Sequence, residues 1–172
     1  MPENHEISKL DNTFDVQAFG CGVKSLDDFI RESALSHQQT GLSKTWICHR
    51  QGSVSVDGYY TLTPHTVSKR EFPQELVLDF PHYPVPGILL AKMAVRTELQ
   101  KTGLSKFLMD SVFRNVISQS ADVAYYALFV DALTDDLVPY YEKFGFIKFA
   151  RIPRKLYFSL KTIKEAYEPR VR

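Results

Sequence analysis

The sequence predicts an α/β (α+β) fold: a central mixed sheet flanked by helices, in a single domain over residues 1–172. Three observations predict it. Apolar, β-branched runs and segments of helical periodicity follow one another in mixed order, as expected of layers around one sheet. The stretch 87–114 reads as strand, polar loop, glycine and helix in succession. A chain of 172 residues is long enough for one real core and natural for one domain.

Each element has its own local reason. Ser25 with Asp28 three residues on resembles a capping box. Leu26, Phe29, Ile30 and Ala34 then mark one apolar face, so a helix is predicted over 25–39, with its stop near Gly41. Lys44–Arg50 reads as a strand carrying Trp46 and Cys48, and Gln51-Gly52 as a tight turn. The returning strand is predicted over 54–63, with Asp57-Gly58 a bulge or bend and Pro64 its end. The stretch 72–86, rich in proline and aromatics, carries no periodicity. Ile88 to Val95 is an apolar run interrupted only by Lys92, short enough for a mostly buried strand. A polar turn over 97–102 and Gly103 precede Leu104, Phe107, Leu108, Val112 and Val116, which recur at helical spacing to about Ser118. A strand is predicted over 125–131. A helix follows from Thr134 to Phe144 with Gly145 as its stop; Pro139 distorts its first turn or delays its start. Two last strands, 146–150 and 156–160, form a hairpin around Pro153.

Bulk properties exclude several classes. The hydrophobic share, 44%, is ordinary for a globular protein, and no apolar run is long enough to span a bilayer. Residues 1–12 are polar and lack a signal peptide's apolar stretch, so a cytoplasmic protein is expected. Cys21 and Cys48 are isolated, and reduced thiols are the default; Cys48 belongs to the core and Cys21 nearer the surface. The five histidines form no metal-ligand pattern, so no metal is expected. Net charge is +1, but its distribution is uneven. From Lys143 onward there are nine Lys/Arg and two Asp/Glu, leaving the preceding residues acidic. Such asymmetry fits either a polyanion partner for one end or a solvated basic tail.

The glycine at the start of the 104–118 helix is the first chemical signal. A helix start leaves N–H groups unpaired, with a positive dipole end, which suits phosphate. Gly103 would let a phosphate approach the backbone. The loop lacks the Gly-Lys-Ser/Thr of a Walker loop and two of the three glycines of the dinucleotide fingerprint.

Gln100-Lys101-Thr102-Gly103-Leu104-Ser105 resembles the pyrophosphate loop of the GNAT acetyltransferases, Gln/Arg-x-x-Gly-x-Gly/Ala, with serine in the last place. The strand Leu89-Leu90-Ala91-Lys92-Met93-Ala94-Val95 is similar to the one that precedes that loop. Tyr140-Tyr141-Glu142-Lys143-Phe144-Gly145-Phe146 is similar to the family's Phe/Tyr-Tyr-Glu-x-x-Gly-Phe signature. The segment 19–30, Gly41 to Thr45, Gly58 to Leu62 and Val85-Pro86 resemble one branch, the GNAT toxins of type II toxin–antitoxin modules, which acetylate aminoacyl-tRNA. The resemblance covers roughly residues 14 to 150. It departs from relatives at Arg96, where an acidic residue is common, and at Thr97 and Glu98, where relatives carry basic ones.

The resemblance implies a GNAT fold, in which a twisted sheet splays open between the strands at 87–95 and 125–131 to admit acetyl-CoA. It implies that Met93, Ala94 and Val95 offer backbone groups to the pantetheine arm. Gln100, Lys101, Thr102, Gly103, Leu104 and Ser105 would hold the pyrophosphate, and Tyr141 would be the general acid. It also implies aminoacyl-tRNA as a partner, a ribbon-helix-helix antitoxin and a homodimer. Lys44, Lys92, Arg151, Arg154 and Lys155 are the basic residues expected to meet tRNA.

The residues themselves bear on the chemistry. No Ser-His-Asp or Cys-His set is visible, so direct transfer is favoured over an acyl-enzyme. No general base is evident either. A lysine amine near ~10.4 would want one, whereas an α-amine near ~7.7–8.0 needs little help. Tyr140, the neighbour of the proposed acid, is expected to pack in the core. Three readings stay open: transfer to aminoacyl-tRNA, transfer to a protein or small-molecule amine, and a non-enzymatic acyl-CoA-binding module.

Overall fold

The longest strand, β4 (Val85–Val95), is the apolar run of the sequence analysis extended upstream to Val85. With it, among the described residues 4–168 of the computed structural model, stand β1 (His5–Lys9), β2 (Lys44–Arg50), β3 (Gly58–Val67), β5 (Ala127–Asp131), β6 (Ile147–Lys148) and β7 (Lys155–Ser159). These seven strands form one sheet in the order β1-β2-β3-β4-β5-β7-β6. β4 and β5 pair in parallel over Gly87–Leu90 and Ala127–Val130. β1–β2, β2–β3, β5–β7 and β6–β7 pair antiparallel, so the sheet is mixed, as expected. The helices are α1 (Lys24–Asp28), α2 (Ala34–Thr40), α3 (Gln74–Val77), α4 (Leu104–Gln119), α5 (Val138–Glu142) and α6 (Leu160–Tyr167). Among the described residues no helix is long and apolar enough to cross a membrane.

The chain gathers into two compact units. The first holds the residues up to Thr63 together with Ala91–Val112. Its core is built on Leu10, Phe19, Ile30, Ala34, Ile47, Val56, Tyr59 and Ala94, all buried, and it also takes in Cys21, which the sequence reading left nearer the surface. Tyr59 keeps its hydroxyl satisfied inside this core by donating to the Leu26 carbonyl at 2.7 Å. Gly58 is a steric necessity: a Cβ there would lie 3.0 Å from the Ala94 carbonyl oxygen and 3.1 Å from Leu108 Cδ1.

The helix predicted over 25–39 is present but interrupted. α1 and α2 are joined by a π turn, Phe29–Ser33, in which Ala34 N–H reaches the Phe29 carbonyl. Ser25 does not cap it. The N-cap is Val23, and Asp28 accepts instead from Lys24. The residue that braces the start is Asp27, whose Oδ1 accepts from the Cys21 N–H at 2.8 Å. Gly41, left-handed at φ +79, stops α2 as expected.

The returning strand begins at Gly58, not Val54. Gln51-Gly52 does turn, with Ser53 N–H on the Arg50 carbonyl. Ser55 then bridges to Asp15, Val56 enters the core, and only from Gly58 does the ladder resume. Nor does Pro64 end β3, which continues to Val67. The ladder with β2 stops at Lys44↔Leu62, so proline's missing N–H removes no bond on that side.

The second unit holds Pro64–Leu90 and the residues from Phe113 onward. Its core contains Val67, Phe72, Val85, Ala127, Phe129, Phe149 and Tyr157. Phe72 is its hub, with Phe80, Tyr126, Phe129, Phe149 and Tyr157 packed around its ring at centroid distances of 5.0 to 6.2 Å. The helix predicted from Thr134 starts late, at Val138. A 3₁₀ turn, Asp135–Leu137, precedes it, and Pro139 sits in the first turn, where its missing N–H is not needed. The last strand ends at Ser159, because that residue caps α6, accepting from Thr162 N–H at 3.2 Å. Neither β1 nor α6 was read from the sequence.

Candidate active site

In the first unit, the loop after β4 is tied down by its side chains. Arg96 donates from Nε and Nη2 to the Val56 carbonyl (3.0 and 2.6 Å) and from Nη2 to Ser55 Oγ (2.8 Å). Its Nε lies 3.7 Å from Oδ1 of Asp57, a buried carboxylate also 3.1 Å from His5 Nε2. Arg96 is thus a structural cation, holding a buried charge that would be costly alone. Thr97 follows, with its N–H and hydroxyl both on the Gly20 carbonyl, at 3.0 and 3.2 Å.

Gln100 spends its side-chain amide on the Cys21 and Val95 carbonyls, at 2.8 and 3.0 Å. Its side chain braces the loop. Thr102 donates to the Leu99 carbonyl at 2.5 Å. Lys101 (φ +63) and Gly103 (φ +92) are left-handed, and both are exposed. Left-handed residues alternating with ordinary ones turn successive N–H groups toward one concavity. Leu104, 1% exposed, anchors the start of α4. The first intrahelical-type bond is Phe107 N–H to Gly103 C=O at 3.2 Å, so the N–H groups of Leu104, Ser105 and Lys106 precede the ladder. Nothing stands within 4 Å of a Cβ built on Gly103, so the space in front of this loop is open. Just upstream, Ala94 and Val95 are buried and Met93 half-buried. Lys92 places its ammonium 5.5 Å from the centre of the Phe29 ring, and Lys44 is exposed on β2.

In the second unit, Tyr141 lies on α5 and is buried, whereas Tyr140 is half-buried. The sequence reading had chosen Tyr140 for the core. The structure turns Tyr140 along the helix onto Phe144 at 5.2 Å, and Tyr141 edge-on to Phe146 at 5.7 Å. Burial, with the neighbouring Tyr140 adding to it, pushes the Tyr141 phenol well above its ordinary pKa. It therefore holds its proton throughout the neutral range.

The basic residues of this unit differ in their freedom. Arg154 donates to the Leu133 carbonyl at 2.9 Å, and its Nε lies 3.9 Å from Asp135 Oδ1. Lys155 donates to His65 Nε2 at 2.9 Å and sits 3.3 Å from Asp131 Oδ1. Arg151 is exposed and, among the described residues, has no ion pair. His65 had no signal in the sequence, since its partner lies 90 residues away. Among the described residues there is no group of His, Cys, Asp or Glu that could hold a metal ion.

Residues 87–155 match the family model described as an acetyltransferase (GNAT) domain. The chain is 30% identical over 138 residues to the tRNA-acetylating toxin of Mycobacterium tuberculosis, covering 80% of this chain and 81% of that protein. A solved structure of AtaT complexed with acetyl-methionyl-tRNAfMet superposes with a TM-score of 0.87 at 26% identity, over 95% of this chain and 99% of that one. Another, of AtaTR bound with acetyl-CoA, gives 0.83 at 26% identity, over 95% and 98%.

Proposed function

Because this chain belongs to the GNAT acetyltransferase family, in the branch of the tRNA-acetylating toxins, we propose that it transfers acetyl from acetyl-CoA to the free α-amine of an aminoacyl-tRNA. Blocking that amine stops translation, and the protein is the toxin of a toxin–antitoxin pair. The observation that carries the reading is the relative at 30% identity, a tRNA-acetylating toxin matched along four fifths of both chains.

The chain's own residues suit acetyl-CoA. The N–H groups that precede the ladder of α4, an open Gly103 and the positive end of a 16-residue helix suit a pyrophosphate. Gln100 and Thr102 hold that loop in shape, and Lys101 adds charge. Met93, Ala94 and Val95 offer backbone groups to the pantetheine arm, which pairs like an added strand.

The reaction is direct. The neutral α-amine attacks the thioester carbonyl carbon, a C–N bond forms, and the C–S bond breaks. The amine releases its proton to solvent, which suits a group whose pKa is near ~7.7–8.0 before esterification lowers it. Tyr141 gives the departing thiolate a proton. The phenol is protonated at neutral pH as any tyrosine is, and burial disfavours the phenolate, so the proton moves only as the thiolate charge develops.

We read the partner that silences the enzyme as a ribbon-helix-helix antitoxin, and the working form as a homodimer in the cytoplasm, where aminoacyl-tRNA is found. Lys44, Lys92, Arg151, Arg154 and Lys155 are the basic residues offered to tRNA by the sequence. The test is transfer of labelled acetyl from acetyl-CoA to total aminoacyl-tRNA, beside deacylated tRNA, free amino acids and a lysine peptide. Label in the charged tRNA alone supports the reading. Label in the peptide or free amines, with none in charged tRNA, moves the enzyme to a protein or small-molecule substrate.

A further inference from the structure

A cavity of about 540 Å³ opens in the second unit. One wall is the turn that carries Arg70, Glu71 and Phe72; the other is the strand end that carries Lys148, Phe149 and Arg151. The backbone explains which side chains reach it. Phe149 N–H donates to the Lys155 carbonyl and Lys148 pairs with the buried Leu156, so Phe149 turns to the face of Phe72 and Tyr157 while the Lys148 side chain leaves from the opposite face of the strand. Phe149 and Phe72 are buried with ring centroids 5.0 Å apart and make an apolar floor. Arg70 and Arg151 are exposed at the rim, and Lys148 is exposed on the other face of its strand.

The charges at this rim are uncompensated. The lining carries three cations and one carboxylate, Glu71. Among the described residues none of the three cations enters an ion pair, whereas Arg154 and Lys155 close by are held by Asp135 and by His65 with Asp131. Lys148 on an edge strand also discourages edge pairing. Arg70 stands outside the sheet and has no such task.

We infer that this groove seats backbone phosphates of RNA, namely the tRNA portion of the substrate; the inference rests on the aminoacyl-tRNA reading above. Two guanidinium forks match phosphate oxygens in bidentate fashion, and an aromatic floor within a volume of this size suits a nucleotide. An acidic protein segment would also meet guanidinium groups. The connection that favours the substrate is Phe146, two residues before Lys148, whose ring packs on Tyr141 at 5.7 Å. A substrate has to reach the proposed acid, and a masking partner does not.

The test uses the full chain with Arg70→Gln and Arg151→Gln combined, and a charge-keeping control, Arg70→Lys with Arg151→Lys. Acetyl transfer to total aminoacyl-tRNA is followed against salt. The neutral double variant raises KM for charged tRNA about tenfold or more. It also lowers the slope of log(kcat/KM) against log salt by about 1.5, since each phosphate contact contributes about 0.7 to 0.9. The charge-keeping control restores the salt slope, and KM only in part because lysine keeps the charge but not the bidentate fork; a merely unfolded variant would restore neither. Equal KM and equal slopes for wild type and the neutral variant overturn the inference. So does unchanged tRNA kinetics with lost binding of the antitoxin, which would give the groove to an acidic protein segment. If wild type transfers nothing to charged tRNA, the functional reading fails by itself. Direct binding of deacylated total tRNA against salt then judges the groove, a shallower slope in the neutral variant supporting it and equal slopes overturning it.

Discussion

Lys155 donates from Nζ to Nε2 of His65 across 2.9 Å, so the imidazole on β3 accepts from an ammonium on β7. The arrangement requires a neutral ring. Burial lowers the His65 pKa, and the adjacent Lys155 lowers it further, against a smaller opposing effect of Asp131.

The sign for stability follows. In the unfolded chain His65 takes its proton near ~6.5, and in the folded protein only at lower pH. Its contribution is fully present above about 6.5 and is lost as pH falls from there through the folded pKa. Melting temperature measured from pH 8 to pH 5 should drop more in wild type than in His65→Gln. Parallel curves would show that this pair does not titrate with folding.

Tyr141→Phe removes only the hydroxyl and keeps the ring against Phe146. The expected result is a kcat lower by about 10²–10³, the range general acid catalysis supplies, with acetyl-CoA affinity nearly unchanged. Single-turnover kinetics beside calorimetry separates the two. Unaltered turnover would leave Tyr141 as a packing residue and call for another proton donor.

Gly103→Glu should abolish acetyl-CoA binding while the fold remains. The position is exposed with open space before it, so the side chain fits, but it places a carboxylate where a pyrophosphate is proposed to lie. The left-handed φ of +92 adds a strain of order 1 kcal/mol, small beside a whole domain's stability. Calorimetry with acetyl-CoA reads the loss. Full affinity in the variant would remove the loop from the binding site.

Gly87→Ala is the opposite case. A Cβ there would lie 2.1 Å from the Phe129 ring and 2.6 Å from the Ala127 carbonyl oxygen, where the two parallel strands close up. Overpacking of this kind costs about 1–3 kcal/mol or more. Denaturant unfolding should show that loss, while Gly52→Ala, with nothing near its Cβ, should show only the smaller cost of its backbone conformation.

Some of this protein is determined within a few residues and is therefore legible in its sequence. The apolar run to Val95, the left-handed Gly103 and the periodic Leu104, Leu108 and Val112 make the strand–loop–helix unit, because strand pattern, glycine freedom and helical spacing act locally. The strand Lys44–Arg50 and the stop at Gly41 follow from the same short-range rules. Tertiary structure decided which charges and rings are free. Tyr141, not Tyr140, turned inward because Phe146 returns beside it after Gly145. Arg96 was claimed by Asp57, and Lys155 by a histidine 90 residues away, while Arg70 and Arg151 border a cavity without an ion pair among the described residues. Coulombic and packing partners are chosen by distance in space, and strand pairing brings together residues whose separation along the chain gives no local sign of it.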